Sequence, residues 1–512
     1  MTKSEKLLFS AAKRGDTSTV QRLLDDGVNV NATTPNKWTA LMLAALHGQT
    51  ESVRCLLGHR TKGHRAKRQA ANPYATLKNS AMNAFLFAVR SGNADTVRLL
   101  LDKVSIDINH QSEYELRDDE RYTIMPTPLM LAARYGHTDV MKLLIEKGAD
   151  VSIIEKALSL ATKHGHIASV RLLFELGLAN ANSTDHWKTP ILTIAAGNGH
   201  KDLVQFLLDN GAEVNRLGGF GGCDTAIKDA VCGNHIEIVQ LLLDAGADVN
   251  LGDKIGKLKS INAQPVLYMV CDTYGEKINM DMLKLLLDAG ANVNAMDNLK
   301  ETALYKAAEN GDIDAVRLLL DYGADVNLGR ETPLIAALYD GSKNMHAIVQ
   351  LLIDNGADVH RCTDKSLWST VMLAAVCHPE CLPLLIDAGA DINYVCRGIT
   401  DYRQYTALLW AAEEGITESV KILLANGADI HAKNKKGRTA LDLAMMGQHT
   451  EIVQLLQAAG AKNSEDYSPQ TEKKKSEEEQ VLEVFQAAFG AIAENKDEIA
   501  KIYQKLFIDT EK

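Results

Sequence analysis

The sequence predicts an all-α solenoid built by stacking short helix pairs along the chain. Three observations predict it. First, one phrase recurs: LLLDAGADVN at 241–250, LLLDAGANVN at 285–294, LLLDYGADVN at 318–327, LLIDNGADVH at 351–360, LLIDAGADIN at 384–393 and LLANGADIHA at 423–432. A tandem period of roughly thirty to forty residues marks a stacked-repeat architecture. Second, each period holds two short helical patterns punctuated by glycine. Third, such short helices cannot bury an apolar face alone, so stacked neighbours must supply one continuous core.

The unit at 302–327, TALYKAAENGDIDAVRLLLDYGADVN, shows why each element forms. Thr302 opens a helix whose small residues Ala303, Ala307 and Ala308 admit a neighbouring backbone. Gly311 ends it, as glycine does where a left-handed residue is needed. Asp312 then caps a second helix through its side-chain oxygen. Ile313, Val316, Leu319 and Leu320 share one face of that helix. Gly323 stops it, and a polar turn reverses the chain toward the next unit.

This pattern resembles the ankyrin-repeat family. The opening TPL or TAL falls at Thr39, Thr127, Thr302, Thr332, Thr406 and Thr439, with variants at Thr189 (TPI) and Thr225 (TAI). The second-helix signature appears as Gly136, His137, Val140, Leu143 and Leu144, and again as Gly199, His200, Val204, Leu207 and Leu208. About thirteen units cover residues 4–461. The resemblance implies antiparallel helix pairs joined by hairpin-like fingers in a curved solenoid. It also implies protein binding as the usual role, without naming a partner.

Departures from the pattern mark modified turns. The units at 80–109 and 154–182 open with MNAFLFAV and IEKALSLA, and the unit from Pro265 has a longer inner turn. In the unit at 370–393, Pro379 and Pro383 predict a late start for the second helix. The ends read as caps, about 4–34 and 439–461, within a solenoid spanning 1–461. A polar linker follows at 462–476, and 477–512 reads as an amphipathic helical tail. That tail has three readings: an extra cap folded on the last repeat, a helix that binds a partner helix or self-associates, or a membrane-surface helix.

Composition narrows the function. A formal charge of −11 and 5% aromatics argue against a nucleic-acid binder. No apolar run is long enough to cross a membrane, and MTKSEKLLFSAAKRG lacks the apolar core of a signal peptide. The eight cysteines are scattered, which fits reduced thiols in a cytoplasmic setting. The stretch after residue 461 is too short for a conventional catalytic domain. GGFGG at 218–222 lacks the Lys and Ser/Thr of a phosphate loop. No enzyme, cofactor or metal is expected.

The expected function is therefore a scaffold or adaptor that binds protein partners. Trp38, Trp187, Trp368 and Tyr405 fall just before repeat-opening positions, at the finger tips the resemblance implies. Large aromatics there are interface candidates, with packing between fingers as the competing role. Phe220 in the glycine-rich loop joins them. The pair of residues before each inner turn should line the groove: Leu46 and His47, Arg134 and Tyr135, Leu338 and Tyr339, Glu413 and Glu414. The insertion at 59–78 carries a basic patch of Arg60, Lys62, Arg65, Lys67 and Arg68, opposed by an acidic insertion at 111–121. Several histidines sit where second helices open, as His137, His166 and His200 do, and should make structural hydrogen bonds between units.

Three alternatives stay open. One is a secreted effector of an intracellular bacterium acting in host cytosol, a reading that also implies protein binding. Another is an adaptor with metal or thiol chemistry at Cys377, His378, Cys381 and Cys396, residue types that suit zinc. The third is that Asn250 is a substrate for asparagine hydroxylation.

Overall fold

The computed structural model describes residues 1–58, 71–75, 83–110, 116–119, 122–124, 126–219, 224–251, 264–273, 277–339, 344–362, 369–395 and 404–463. Expectations placed on Phe220, Trp368, Cys396, the basic residues Arg60, Lys62, Arg65, Lys67 and Arg68, and the tail fall outside them. Twenty-six helices among the described residues, α1 to α26 in chain order, form thirteen pairs. They divide into two compact units, Met1–Asn262 and Ala263–Lys512.

In the first unit the first helix of each pair is α1 (Lys3–Arg14), α3 (Ala40–Leu46), α5 (Ala84–Ser91), α7 (Pro128–Arg134), α9 (Ile154–Lys163), α11 (Ile191–Gly197) or α13 (Ala226–Cys232). In the second unit these are α15 (Val266–Cys271), α17 (Ala303–Glu309), α19 (Pro333–Tyr339), α21 (Thr370–Cys377), α23 (Ala407–Glu414) and α25 (Ala440–Met446). Within each unit, first helices pack on first helices and second helices on second helices, giving two helical layers.

The repeat-opening residues act as N-caps. The Thr302 hydroxyl accepts from the Tyr305 amide at 3.1 Å, and Thr39, Thr225 and Thr439 cap in the same way. Where the motif is lost, Asn83 and Ser369 take over, accepting from Leu86 and Met372. Each side chain satisfies one of the amides that a helix start leaves unpaired. Thr189 departs from the expectation. Helix α11 begins one residue later, with Pro190 at the cap position and no side-chain bond there.

The core is assembled between pairs. Leu319 and Val316 of α18 (Ile313–Asp321) are fully buried, as are Ala303 and Ala307 of α17 to within 1%. Leu338, expected at the groove, is buried too and belongs to this core. Helices of seven to ten residues are marginal alone. Burial of each leucine, at about 1.5–3 kcal/mol, is what holds them.

Two sets of hydrogen bonds tie one repeat to the next. The closing Asn of a unit clamps the following turn with both ends of its amide. Asn327 donates from Nδ2 to the Gly356 carbonyl at 2.9 Å and accepts from the Asp358 amide at 2.7 Å. Asn182, Asn215, Asn294 and Asn393 repeat the clamp one unit apart. The second set uses the histidines that open second helices. Nε2 of His137, His166, His200 and His449 bonds to the carbonyls of Arg90, Arg134, Lys163 and Glu413, at 2.9, 2.8, 2.7 and 2.9 Å. The structural role expected of these histidines is what the structure shows. It also explains Gly136. Its φ is +72°, and a Cβ there would lie 2.6 Å from the His166 ring.

Two insertions have structure of their own. Between α6 (Ala94–Lys103) and α7, part of the acidic insertion and the residues after it form an antiparallel hairpin, β1 (Leu116–Asp119) with β2 (Tyr122–Ile124). In the unit at 370–393, a short 3-10 turn at Pro379–Cys381 precedes α22 (Leu382–Asp387), so the second helix does start late.

Asn327→Ala should cost about 1 kcal/mol through its two lost bonds. Hydrogen exchange should quicken at the Gly356–Asp358 turn before it does in distant repeats. Uniform loss of protection across all repeats would contradict nearest-neighbour coupling.

Candidate functional site

The finger turns are built on a buried Asp or Asn. Asp185 Oδ1 accepts from the amides of Trp187 and Thr189, both at 2.8 Å. Asp297 accepts from Leu299 and Glu301, and Asn434 from Lys436 and Arg438. The residue two places after the anchor is held out at the tip. It is followed by a left-handed residue: Lys188, Lys300 or Gly437, with φ +64°, +68° and +74°. Trp187 and Leu299 are thus displayed 40% and 59% exposed.

This geometry separates aromatics that look alike in the sequence. Trp187 precedes the left-handed Lys188 and sits at the tip. Trp38 follows the left-handed Lys37 and Tyr405 follows the left-handed Gln404, so both sit at the base of their fingers. Trp38 is half-buried and stacks on Phe87 of α5, ring centroids 4.7 Å apart. Tyr405 is buried, accepts from Asn434 Nδ2 at 3.1 Å and hydrogen-bonds Glu413. Both bridge neighbouring units instead of presenting a free aromatic face.

In the first unit the first five of the seven first helices, α1 to α9, carry Lys, Arg or His at their ends, whereas α11 ends at Gly197 and α13 at Cys232. The positions are Lys13 and Arg14 on α1, His47 after α3, Arg90 on α5, Arg134 and Tyr135 at the end of α7, and Lys163 and His164 at the end of α9. The Arg90 guanidinium lies 5.5 Å from the Tyr135 ring centroid. Burial, followed by the Arg134 and Lys163 charges, lowers the His164 pKa. Arg134 of α7 and Lys163 of α9 thus both act on His164. Sequence reading singled out Arg134 and Tyr135 here but missed Arg90 and Lys163. The signal was present, since both occupy the same helix-end position.

In the second unit three of the six first helices, α15, α17 and α23, carry acids at that position. Asp272 ends α15, Glu309 ends α17, and Glu413 with Glu414 ends α23; Tyr339 ends α19 and is half-buried. Acids at a helix C-terminus oppose the helix dipole. Lys306 offsets three carboxylates, reaching Glu309 at 2.8 Å, Asp272 at 3.6 Å and Glu301 at 3.9 Å. The Tyr268 hydroxyl donates to Glu301 at 3.0 Å, and the Lys306 ammonium lies 5.7 Å from the Tyr268 ring. Burial raises the Glu301 pKa against the pull of Tyr268 and Lys306. Glu413 is raised by burial too, with Tyr405 opposing. Nothing in the local sequence announces this cluster, because Asp272, Glu301 and Lys306 come from two successive units.

Among the described residues Cys377 and Cys381 both have thiols whose pKa burial raises. Cys381 is buried, its thiol lies 3.4 Å from the Met345 sulfur, and burial pushes its pKa up to about 12. His378 faces Glu380 at 3.7 Å. Among the described residues no three His, Cys, Asp or Glu side chains converge as a metal site, and no helix is long and apolar enough to cross a membrane.

Comparison with known proteins agrees with the geometry. The family profile for ankyrin repeats (three copies) matches residues 8–112, 112–185, 158–253, 266–363, 328–396, 342–434 and 371–467. The chain belongs to the ankyrin-repeat family, whose members carry protein–protein interaction modules. It is 27% identical to human short transient receptor potential channel 4 over 158 residues, 30% of this chain and 14% of that one. It is 31% identical over 127 residues to the ankyrin repeat, SAM and basic leucine zipper domain-containing protein 1 of Nomascus leucogenys, covering 25% of this chain and 23% of that one. Among solved structures it is similar to the human ASB11 ankyrin repeat domain, with TM-score 0.37 and 23% identity, over 47% of this chain and 98% of that one. These matches cover less than a quarter of the two curated relatives.

Lys306→Met should lower the melting temperature at pH 7, by about 1–3 kcal/mol of stability, because the carboxylates lose their charged hydrogen-bonding partner. The deficit should shrink as the pH falls and Glu301, whose pKa burial raises, takes up a proton. Asp229 of α13 behaves in the opposite sense. Burial, reinforced by Asp224 and opposed by Lys228, pushes its pKa from 3.8 up to about 7. The folded state therefore binds its proton more tightly, and stability falls as pH rises between those values. Asp229→Asn should raise the melting temperature at pH 8 and have little effect near pH 4. Equal effects at both pH values would refute the assignment.

Proposed function

We propose that the chain is a non-enzymatic adaptor that binds protein partners through its fingers and the ends of its first helices. The observation that carries this reading is Trp187, a large aromatic held 40% exposed on a turn locked by two hydrogen bonds to Asp185. A rigid aromatic loses little entropy on binding and has the character of an interface anchor. Arg134 and Tyr135 in the first unit, and Tyr339, Glu413 and Glu414 in the second, extend the proposed contacts. Phe220, Trp368 and the basic patch at 59–78 belong to the proposed set on sequence grounds. Trp38 and Tyr405 instead pack between neighbouring units. We also propose a reducing, cytoplasmic setting, in keeping with six free cysteines among the described residues.

Trp187→Ala should weaken partner capture in cross-linked lysate, read by mass spectrometry, with the melting temperature little changed. An equal loss of fold would assign Trp187 to packing. Loss of capture only on truncation after Lys462 would move binding to the tail.

A further inference from the structure

We infer that the first unit docks an acidic, extended segment of a partner protein whose carboxylates recur every third residue. This rests on the protein-binding reading above and specifies the chemistry of the partner.

Five consecutive first helices, α1 to α9, end on Lys, Arg or His, and none carries an acid at that position. These helices pack in sequence on one another, so their ends form a column. The helix dipole favours a cation at each C-terminus, but it does not impose one. In the second unit the same position holds Asp272, Glu309, Glu413 and Glu414. The cationic column is thus a property of this stretch of sequence and not of the repeat.

The column is also rigid. The carbonyls of Arg90, Arg134 and Lys163 are each gripped by the His of the following unit, at 2.9, 2.8 and 2.7 Å. The backbone under each cation is therefore held in register before any partner arrives. Arg134 and Lys163, from adjacent units, both act on His164, and an anionic partner would offset these like charges. Tyr135, lying beside Arg90, adds an apolar surface for the partner's backbone or side chains.

Spacing sets the register of the partner. Packed helices lie ~8–10 Å apart. An extended chain advances ~3.3 Å per residue, and a polyproline-type chain ~3.1 Å with three residues per turn. Every third side chain of the polyproline-type segment therefore returns to the same face at close to the helix spacing, whereas side chains of a fully extended strand alternate between faces. A carboxylate at each of these places meets one cation per repeat. Arg134 and Arg90 can take carboxylates in bidentate fashion, and Lys163 as a point charge. A nucleic acid is disfavoured by the chain's net charge of −11.

The test uses the full chain and fluorescence anisotropy. One labelled peptide of about twelve residues carries Glu at every third position, matching four turns of a polyproline-type backbone. A second has the same composition with its Glu residues clustered, and a single-stranded oligonucleotide of equal charge completes the set. The spaced peptide should bind most tightly. Arg90→Gln/Arg134→Gln/Lys163→Gln should weaken it about tenfold, as expected for the loss of ion pairs at one exposed residue, Arg90, and two half-buried ones, Arg134 and Lys163. Arg22→Gln/Arg98→Gln/Lys142→Gln removes equal charge from α2 (Thr17–Asp25), α6 and α8 (Thr138–Glu146), and should have little effect. Should the column variant unfold, Arg90→Gln alone, at an exposed position, gives the same comparison against Arg98→Gln. Equal binding of the two peptides, equal loss in the two variants, or tighter binding of the oligonucleotide would each overturn the proposal. Those outcomes leave the adaptor reading standing if Trp187→Ala still abolishes capture of a partner from lysate. Loss of that capture dependence would instead sink the adaptor reading itself.

Discussion

The structure depends on side chains of one repeat gripping the backbone of the next. Apolar burial supplies most of the free energy, but it is non-directional and would tolerate sliding between layers. The amides of Asn182, Asn215, Asn294, Asn327 and Asn393 do not tolerate it, since each engages one carbonyl and one amide of a defined turn. The histidines perform the same task at the other end of the turn, on carbonyls that close the first helices. Glycine completes the device by leaving room for the imidazole, as Gly136 does for His166.

Because these clamps recognise backbone groups, they leave the outward side chains unconstrained. The carbonyls of Arg134 and Glu413 accept the same histidine bond, while their side chains carry opposite charge. One scaffold can therefore present a cationic column in its first unit and a carboxylate-rich one in its second. The acids pay a local cost against the helix dipole, which Lys306 offsets in part. Residues kept against a local preference are where function is to be sought.

The family, the helix pairs and the capping positions were legible in the sequence because each is set by contacts a few residues apart. Thr302, Gly311, Asp312 and the Leu319 face need only their own unit to be read. The inter-unit role of the histidines was legible too, from their constant place at the start of second helices. What escaped was anything that turned on register or on packing across units. Trp38 and Trp187 both precede a Thr-containing opening. Yet α11 starts one residue late, and that offset decides which ring is displayed and which is stacked on Phe87. Tyr405 looked like a finger-tip residue and is buried for the same reason as Trp38. Leu338 looked like a groove residue and lies in the core.

The sequence by itself determined the repeat, its period, its caps and the residue types at each helix end. These follow from local propensity and from a periodicity that no other architecture satisfies. Only the tertiary structure decided which of those residues meet. Lys306 gathers carboxylates from two units, Arg90 lies beside Tyr135, and Cys381 is spent against Met345. The reason is physical: a single unit has no interior, so burial, charge proximity and exposure come into being only when its neighbours are stacked on it.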